Sequence, residues 1–267
     1  MKGLFLGDVV GQAGREAVAA YLPEIKEKLA PDVIVANVEN AAHGFGLTPK
    51  MFDFFKRQGV HVMTMGNHTF DKKEVLPLLE NKQELIRPLN YPKGTLGKGF
   101  YLHTLDDGRK IGVVQLMGQV FMREIASPFQ AIQSFLSEHI LGKDFSALIV
   151  DFHAEATSEK VALGHFCDGK VSLVAGTHTH IPTADAQRLP LGTGYITDVG
   201  MCGDYNSIIG MQVQTVMPRF TGKPRPAMAP AETEKTLCGV FFETDDATGL
   251  CLSIRPIRLG TRLIKAL

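Results

Sequence analysis

Lys2-Gly3-Leu4-Phe5-Leu6-Gly7-Asp8 is a short apolar run that ends on a residue able to bind a hard metal ion, and four more runs end on such residues. Val33–Asn37 leads into Glu39 and Asn40, Val60–Met65 into Asn67 and His68, Ala147–Val150 into His153, and Val171–Ala175 into His178 and His180. Runs of this length, rich in Val and Ile and flanked by turn residues, read as strands buried on both faces. In open α/β sheets the ligand crevice lies beyond the carboxyl ends of the strands, so five strand ends bring eight oxygen and nitrogen donors to one place. The pattern points to a metal-dependent enzyme.

Between these runs the chain alternates. Arg15–Leu29 carries apolar residues at helical spacing and stops before Pro31, after a turn allowed by Gly11 and Gly14. Pro49 opens a second helix, Lys50–Gln58, after Thr48 as its cap. This β-α-β-α-β opening predicts right-handed crossovers and a largely parallel first sheet. Phe100–Leu105 and Lys110–Met117 read as a hairpin around Asp106-Asp107-Gly108, and Thr236–Thr244 with Leu250–Leu259 as a closing hairpin. Helices are expected over Gln130–Leu141 and from Ser158 to Phe166. Met217–Pro230, with four prolines, reads as an exposed excursion.

A length of 267 residues with 45% hydrophobic content supports one large domain, taken as residues 1–267. Lys+Arg 28 balances Asp+Glu 28, so no global field draws the chain to nucleic acid or an anionic membrane. No run approaches the roughly 18 apolar residues of a membrane span. Cys167, Cys202, Cys238 and Cys251 form no C-x-x-C pair, and a reducing cytoplasm is the simplest setting for them.

Asp8, Glu39, Asn40, Asn67, His153, His178 and His180 together offer carboxylate, amide and imidazole donors, the set that divalent first-row metals accept. Two ions about 3.5–4 Å apart would clamp the attacking and leaving oxygens of an in-line displacement, and Glu39 is the natural bridging carboxylate. Each residue also has a plainer role. Asp8 could hydrogen-bond a turn, Glu39 and Asn40 could cap a loop, and His153 could be a hydrogen-bonded histidine at the rim. His178 and His180 are more specific, because alternate residues of an extended segment point the same way. The remaining histidines, His43, His61, His103, His139 and His165, fit structural or solvent-facing roles.

Gly7-Asp8, Glu39-Asn40, Gly66-Asn67-His68, His153 and Thr177-His178-Thr179-His180 resemble the ordered motifs of calcineurin-like metallophosphoesterases. Gly7-Asp8-Val9-Val10-Gly11, Val38-Glu39-Asn40-Ala41-Ala42, Gly66-Asn67-His68-Thr69 and Asp198-Val199-Gly200-Met201 are closer still to the YmdB-like subfamily, and the likeness runs over almost the entire chain. The usual first motif of the superfamily is Asp-x-His, whereas Val10 stands here in place of the imidazole. The usual bridging Asp is Glu39. Both departures are shared with the YmdB-like pattern.

The resemblance implies an αββα sandwich of two packed mixed β-sheets flanked by helices, and a phosphodiesterase acting on 2′,3′-cyclic nucleotides. It implies two metal ions, iron first and manganese or zinc as alternatives. One would be held by Asp8, Glu39, Asn40 and His180, the other by Glu39, Asn67, His153 and His178. A metal-bound hydroxide would attack phosphorus, His68 would protonate the leaving oxygen, and Asp71 would orient the His68 ring. Arg15 is a candidate anion contact, with a solvated helix face as its other reading. Gly94–Phe100 and Met201–Met211 are candidate lining segments by chain position alone. A phosphomonoesterase or nucleotidase, or a regulatory nucleotide-binding protein with incidental catalysis, are the competing functions, and a homo-oligomer is compatible with the sequence.

Overall fold

A computed structural model describes residues 1–267. In chain order the first half comprises β1 (Lys2–Leu6), β2 (Asp8–Val9), α1 (Gly11–Leu29), β3 (Val33–Asn37), α2 (Pro49–Gln58), β4 (Val62–Thr64), α3 (Leu76–Asn81), β5 (Leu85–Ile86), β6 (Phe100–Thr104) and β7 (Lys110–Met117). There follow α4 (Pro128–Glu138), β8 (Ala147–His153), α5 (Thr157–Cys167), β9 (Leu173–Thr177), β10 (Gln187–Arg188), β11 (Gly194–Ile196), β12 (Met201–Cys202), α6 (Val213–Phe220), β13 (Leu237–Thr244) and β14 (Cys251–Leu259).

Strands buried on both faces must be covered on both faces, and the alternation along each strand shows by what. Phe5, Val33, Val35 and Val62 pack with Ile111, Val113, Ile149 and Leu173 in one apolar layer between two sheets. Their strand neighbours Leu4, Leu6, Ile34 and Ala36 face the opposite way, onto Val18 and Leu22 of α1 and Phe52 and Phe55 of α2. In the second sheet Val114, Leu148, Val150 and Phe152 turn outward onto Ile132 of α4 and Leu163 of α5. The result is the expected αββα sandwich.

The first sheet has the order β14-β13-β1-β3-β4-β5, and the second β10-β11-β9-β8-β7-β6. Neighbours β1, β3, β4 and β5 are parallel, as are β7, β8, β9 and β11. The closing hairpin joins the first sheet, with β13 antiparallel to β1. Both sheets therefore present several parallel strand ends on one side, which is where a crevice forms.

Several boundaries differ from the sequence expectation. Helix α1 begins at Gly11, not Arg15, because β2 pairs in parallel with β12 and turns the chain directly into it. Gly14 belongs to that helix, and a Cβ there would lie 2.3 Å from the Cys202 carbonyl oxygen. Strand β8 continues past Val150 to His153, and β9 runs from Leu173 to Thr177. Neither Thr48 nor Ser158 makes a side-chain cap. The proline-rich excursion starts inside α6, which holds Pro218, and becomes irregular only beyond it, with residues 221–228 exposed throughout.

Candidate metal centre

His153, fully buried at the last position of β8, is where the donors converge. Its Nε2 lies 2.9 Å from Glu39 Oε1, 2.9 Å from Asn67 Oδ1 and 3.0 Å from His178 Nδ1. One ring nitrogen carries at most one proton, so it can satisfy only one of these neighbours. Two ligand atoms each about 2.1 Å from a cation and at right angles stand about 3 Å apart, so this spacing is that of donors around a metal ion.

The surrounding bonds fix which ring nitrogens are free. With Asp151 ionised, the Thr177 hydroxyl donates to Asp151 Oδ1 at 2.6 Å, so Thr177 Oγ1 accepts from His153 Nδ1 at 2.9 Å. That leaves His153 Nε2 for the centre. His178 Nε2 faces Glu155 Oε2 at 3.2 Å, which leaves its Nδ1 on the same side as His153 Nε2. Such outer partners hold a metal-binding histidine in one tautomer.

Charge follows the same layout. Burial alone would push the Glu39 carboxyl up, but His153 and the backbone N–H groups around it outweigh this and bring it down to about 2. Gly66 N–H and His68 N–H donate to Glu39 Oε2 at 2.5 and 2.9 Å, so Oε1 is the oxygen left for a cation. His153 is pushed down by burial, yet Glu39 and Asp8 raise it to about 9. His178 goes the other way. Burial and the neighbouring His153 push it down to about 3, keeping it neutral and able to coordinate. Burial pushes Asp151 up to about 7, against the pull of His153, Thr177 and Thr64.

Asp8, Asn40 and His180 form a second group beside the first. Asp8 Oδ1 and Asn40 Oδ1 are buried oxygens without a hydrogen-bond partner, a costly arrangement that a bound cation would relieve. Their other atoms are occupied: Asp8 Oδ2 accepts from His178 N–H at 3.1 Å, and Asn40 Nδ2 donates to the Gly44 carbonyl at 2.9 Å. His180 donates from Nδ1 to the Ile209 carbonyl at 2.8 Å, and its Nε2 lies 3.9 Å from Asp8 Oδ1. Both donor groups fit divalent cations. His178 and His180 reach the crevice for a reason other than strand alternation. They follow the end of β9 in a turn with φ of 100° and 67°, a backbone that non-glycine residues adopt only under constraint.

The constraint is a buried ion pair. Lys160 Nζ, from α5, lies 2.6 Å from Asp198 Oδ2 and donates to the Thr177 carbonyl at 2.8 Å. Asp198 also accepts from Thr179 N–H at 3.1 Å, so the pair grips the turn from both ends. His68 stands at the rim, its Nδ1 2.6 Å from Asp71 Oδ2 and its ring edge-on to Phe45. Asp71 thus holds the ring. Arg15 is not simply solvated on the helix face, since one guanidinium nitrogen donates to the Ala41 carbonyl and steadies the loop carrying Glu39 and Asn40. A cavity of about 360 Å³ opens over Glu39, Asn40, His68, His178 and His180.

The YmdB-like protein family profile matches residues 4–257. A 2′,3′-cyclic-nucleotide 2′-phosphodiesterase of Bacillus subtilis (strain 168) is 44% identical over 260 residues, covering 97% of this chain and 97% of that protein. The chain belongs to the YmdB-like family. The crystal structure of a phosphatase from Mycoplasma pneumoniae superposes with a TM-score of 0.91 at 37% identity, over 97% of this chain and 93% of the other. The calcineurin-like phosphoesterase YfkN of Bacillus subtilis, at 12% identity, shares the fold with a TM-score of 0.54 over 97% of this chain and 90% of its own. This YmdB-like chain is a phosphodiester hydrolase with the calcineurin-like phosphoesterase fold.

Some parts of the YmdB-like site were not foreseen. Asp151, Glu155 and Lys160 support the donors, and the one available signal for them was a charged residue interrupting the apolar run Ala147–His153; Thr177 and Asp198, which support them too, stand within the quoted motifs but had no assigned role. Of the two candidate lining segments, Gly94–Phe100 does not reach the cavity; Gly97 and Gly99 pack beside Leu79 and Leu89 instead. The Met201–Met211 segment does reach it, through Ile208, Ile209 and Met211. Phe220 and Met228, from the stretch expected to be a plain surface excursion, complete that wall.

Proposed function

We propose that this chain hydrolyses 2′,3′-cyclic nucleotides at a dinuclear metal centre. The observation that carries the reading is the convergence of Glu39, Asn67 and His178 on His153 Nε2, beside the unpartnered oxygens of Asp8 and Asn40. One ion is assigned to Asp8, Glu39, Asn40 and His180, the other to Glu39, Asn67, His153 and His178, with Glu39 shared. When bound, the ions polarise the non-bridging phosphoryl oxygens and supply a nucleophile from water near neutral pH. Oxygen and imidazole donors suit iron, manganese and zinc alike, and iron is our first assignment.

Opening a five-membered cyclic phosphate releases a ribose oxygen that needs a proton. His68 delivers it from Nε2, because Nδ1 is engaged by Asp71 at 2.6 Å. Glu39 accepts backbone N–H groups of Gly66 and His68, so the carboxylate and the proton donor are held by one loop. Residues 1–267 are taken as one domain, since β1 at the start of the chain pairs with β13 near its end. No helix is long and apolar enough to cross a membrane. Four free, buried cysteines support a reducing compartment, the cytoplasm.

The test is metal quantification with a substrate panel on wild type and His68→Ala. Two metals per chain and turnover of 2′,3′-cAMP are expected, with the variant about 100-fold slower or worse at unchanged metal content. A wild type that leaves 2′,3′-cAMP untouched while cleaving a simple phosphomonoester makes the chain a phosphatase instead.

A further inference from the structure

The cavity over the donors has two chemically different ends. One holds Glu39, His68, His178 and His180. The other is a wall of Ile209, Val216, Phe220 and Met228, whose side chains carry no hydrogen-bond donor. Its volume, about 360 Å³, exceeds what a cyclic phosphate alone requires and falls within the roughly 300–1,000 Å³ of small-molecule sites. Phe220 is 76% exposed and Ile209 is 49% exposed, so large apolar surface faces solvent directly beside the proposed catalytic groups. Apolar side chains exposed beside a polar site gain by being covered by an apolar part of a ligand.

The wall is also tied to the centre. Ile209 has φ of 46°, a left-handed conformation that is a genuine outlier for a β-branched residue. The same residue accepts the His180 Nδ1 proton on its carbonyl and lines the cavity with its side chain. One strained residue therefore fixes a metal-ligand candidate and the apolar wall in a single geometry. A ligand that spans both ends must be anionic at one end and flat and apolar-faced at the other.

We infer that this wall is a stacking subsite for the nucleobase of the substrate, with Phe220 and Met228 as its principal contacts; the inference rests on the function proposed above. Every base has a π-face, and an aromatic ring and a thioether offer partners to it without reading its hydrogen-bonding edge. The absence of hydrogen-bond donors from the four wall side chains makes the site tolerant of base identity. Purines, with more stacking area, gain the lower KM.

Phe220 is exposed, so replacing it leaves the core intact. Phe220→Ala and Met228→Ala are compared with wild type on 2′,3′-cAMP, 2′,3′-cCMP and a glycerol cyclic phosphate that has no base. Loss of the ring raises KM for 2′,3′-cAMP roughly 10-fold, the equivalent of about 1.4 kcal/mol of stacking, at unchanged kcat. The base-free substrate is unaffected, and Phe220→Trp restores the low KM for the nucleotides. If wild type opens all three cyclic phosphates but neither alanine variant changes KM for the nucleotides, or if the base-free substrate suffers equally, the stacking subsite is wrong. If wild type opens no cyclic phosphate at all, the proposed function fails first and takes the subsite with it.

Discussion

Asn40 shows how much rests on one amide. Its nitrogen is held by the Gly44 carbonyl while its oxygen is buried without a partner, and Val10 stands where the wider superfamily carries an imidazole. Asn40→Ala removes the oxygen and keeps the fold, so it should lower metal content from two per chain toward one, read by elemental analysis. Unchanged content would remove Asn40 from the centre. Lys160 acts one layer further out. Both it and Asp198 are 1% exposed, and removing one partner of a buried pair costs about 3–5 kcal/mol because the other charge is stranded. Lys160→Met should therefore lower the unfolding midpoint in urea and reduce metal retention, and adding Asp198→Asn should recover part of the stability. The donors themselves were legible, since each follows an apolar run. The groups that orient them were not, because Lys160 sits among ordinary helical residues and Asp151 inside a strand, and neither neighbourhood is local in sequence.

The element that binds the two regions of the site together is the short parallel pair of β2 and β12, in which Asp8 stands opposite Met201. Two-residue strands separated by most of the chain have no periodic signal, so this pairing was invisible in the sequence, whereas the long apolar runs of β3, β8 and β9 announced themselves. Helix α6 was hidden by Pro218, a residue that ordinarily breaks a helix interior. The pair explains a glycine that helical propensity alone would remove. Gly14→Ala should gain about 1 kcal/mol of propensity. Against that gain, the new Cβ would lie 2.3 Å from the Cys202 carbonyl oxygen and 2.9 Å from Val9 Cγ1, and backbone cannot yield as a flexible side chain does. Overpacking typically costs 1–3 kcal/mol, so the clash wins. The variant should melt below wild type and shift Asp8, with metal content falling in parallel. A variant more stable than wild type would mean that α1 has room to move off β12.

Across the whole molecule, the donors divide between the two sheets. Asp8, Glu39, Asn40 and Asn67 follow strands of the first sheet, while His153, His178 and His180 belong to the ends of β8 and β9 in the second. The sequence disclosed the two sets of strand ends but not the order of strands or the return of β13 to β1, which depend on contacts between distant segments. With the proposed ligands drawn from both sheets, ions bound at this centre would act as a tie across the apolar layer between them. A ligand that binds only the folded state stabilises it by about 2.7 kcal/mol at a hundredfold excess over Kd, so two ions contribute roughly 5 kcal/mol. For a chain of this size about 2–4 °C accompanies each kcal/mol, which predicts a fall in Tm of roughly 10–20 °C on chelation. Removal also leaves Asp8 and Asn40 with buried, unpaired oxygens, which adds to the loss. Calorimetry of the metal-loaded and chelated protein should show this drop and its reversal on reloading. The drop should be about half as large in Asn40→Ala, which retains one ion. A Tm indifferent to chelation in protein that demonstrably carried metal would mean that the ions sit elsewhere and that the two sheets hold together without them.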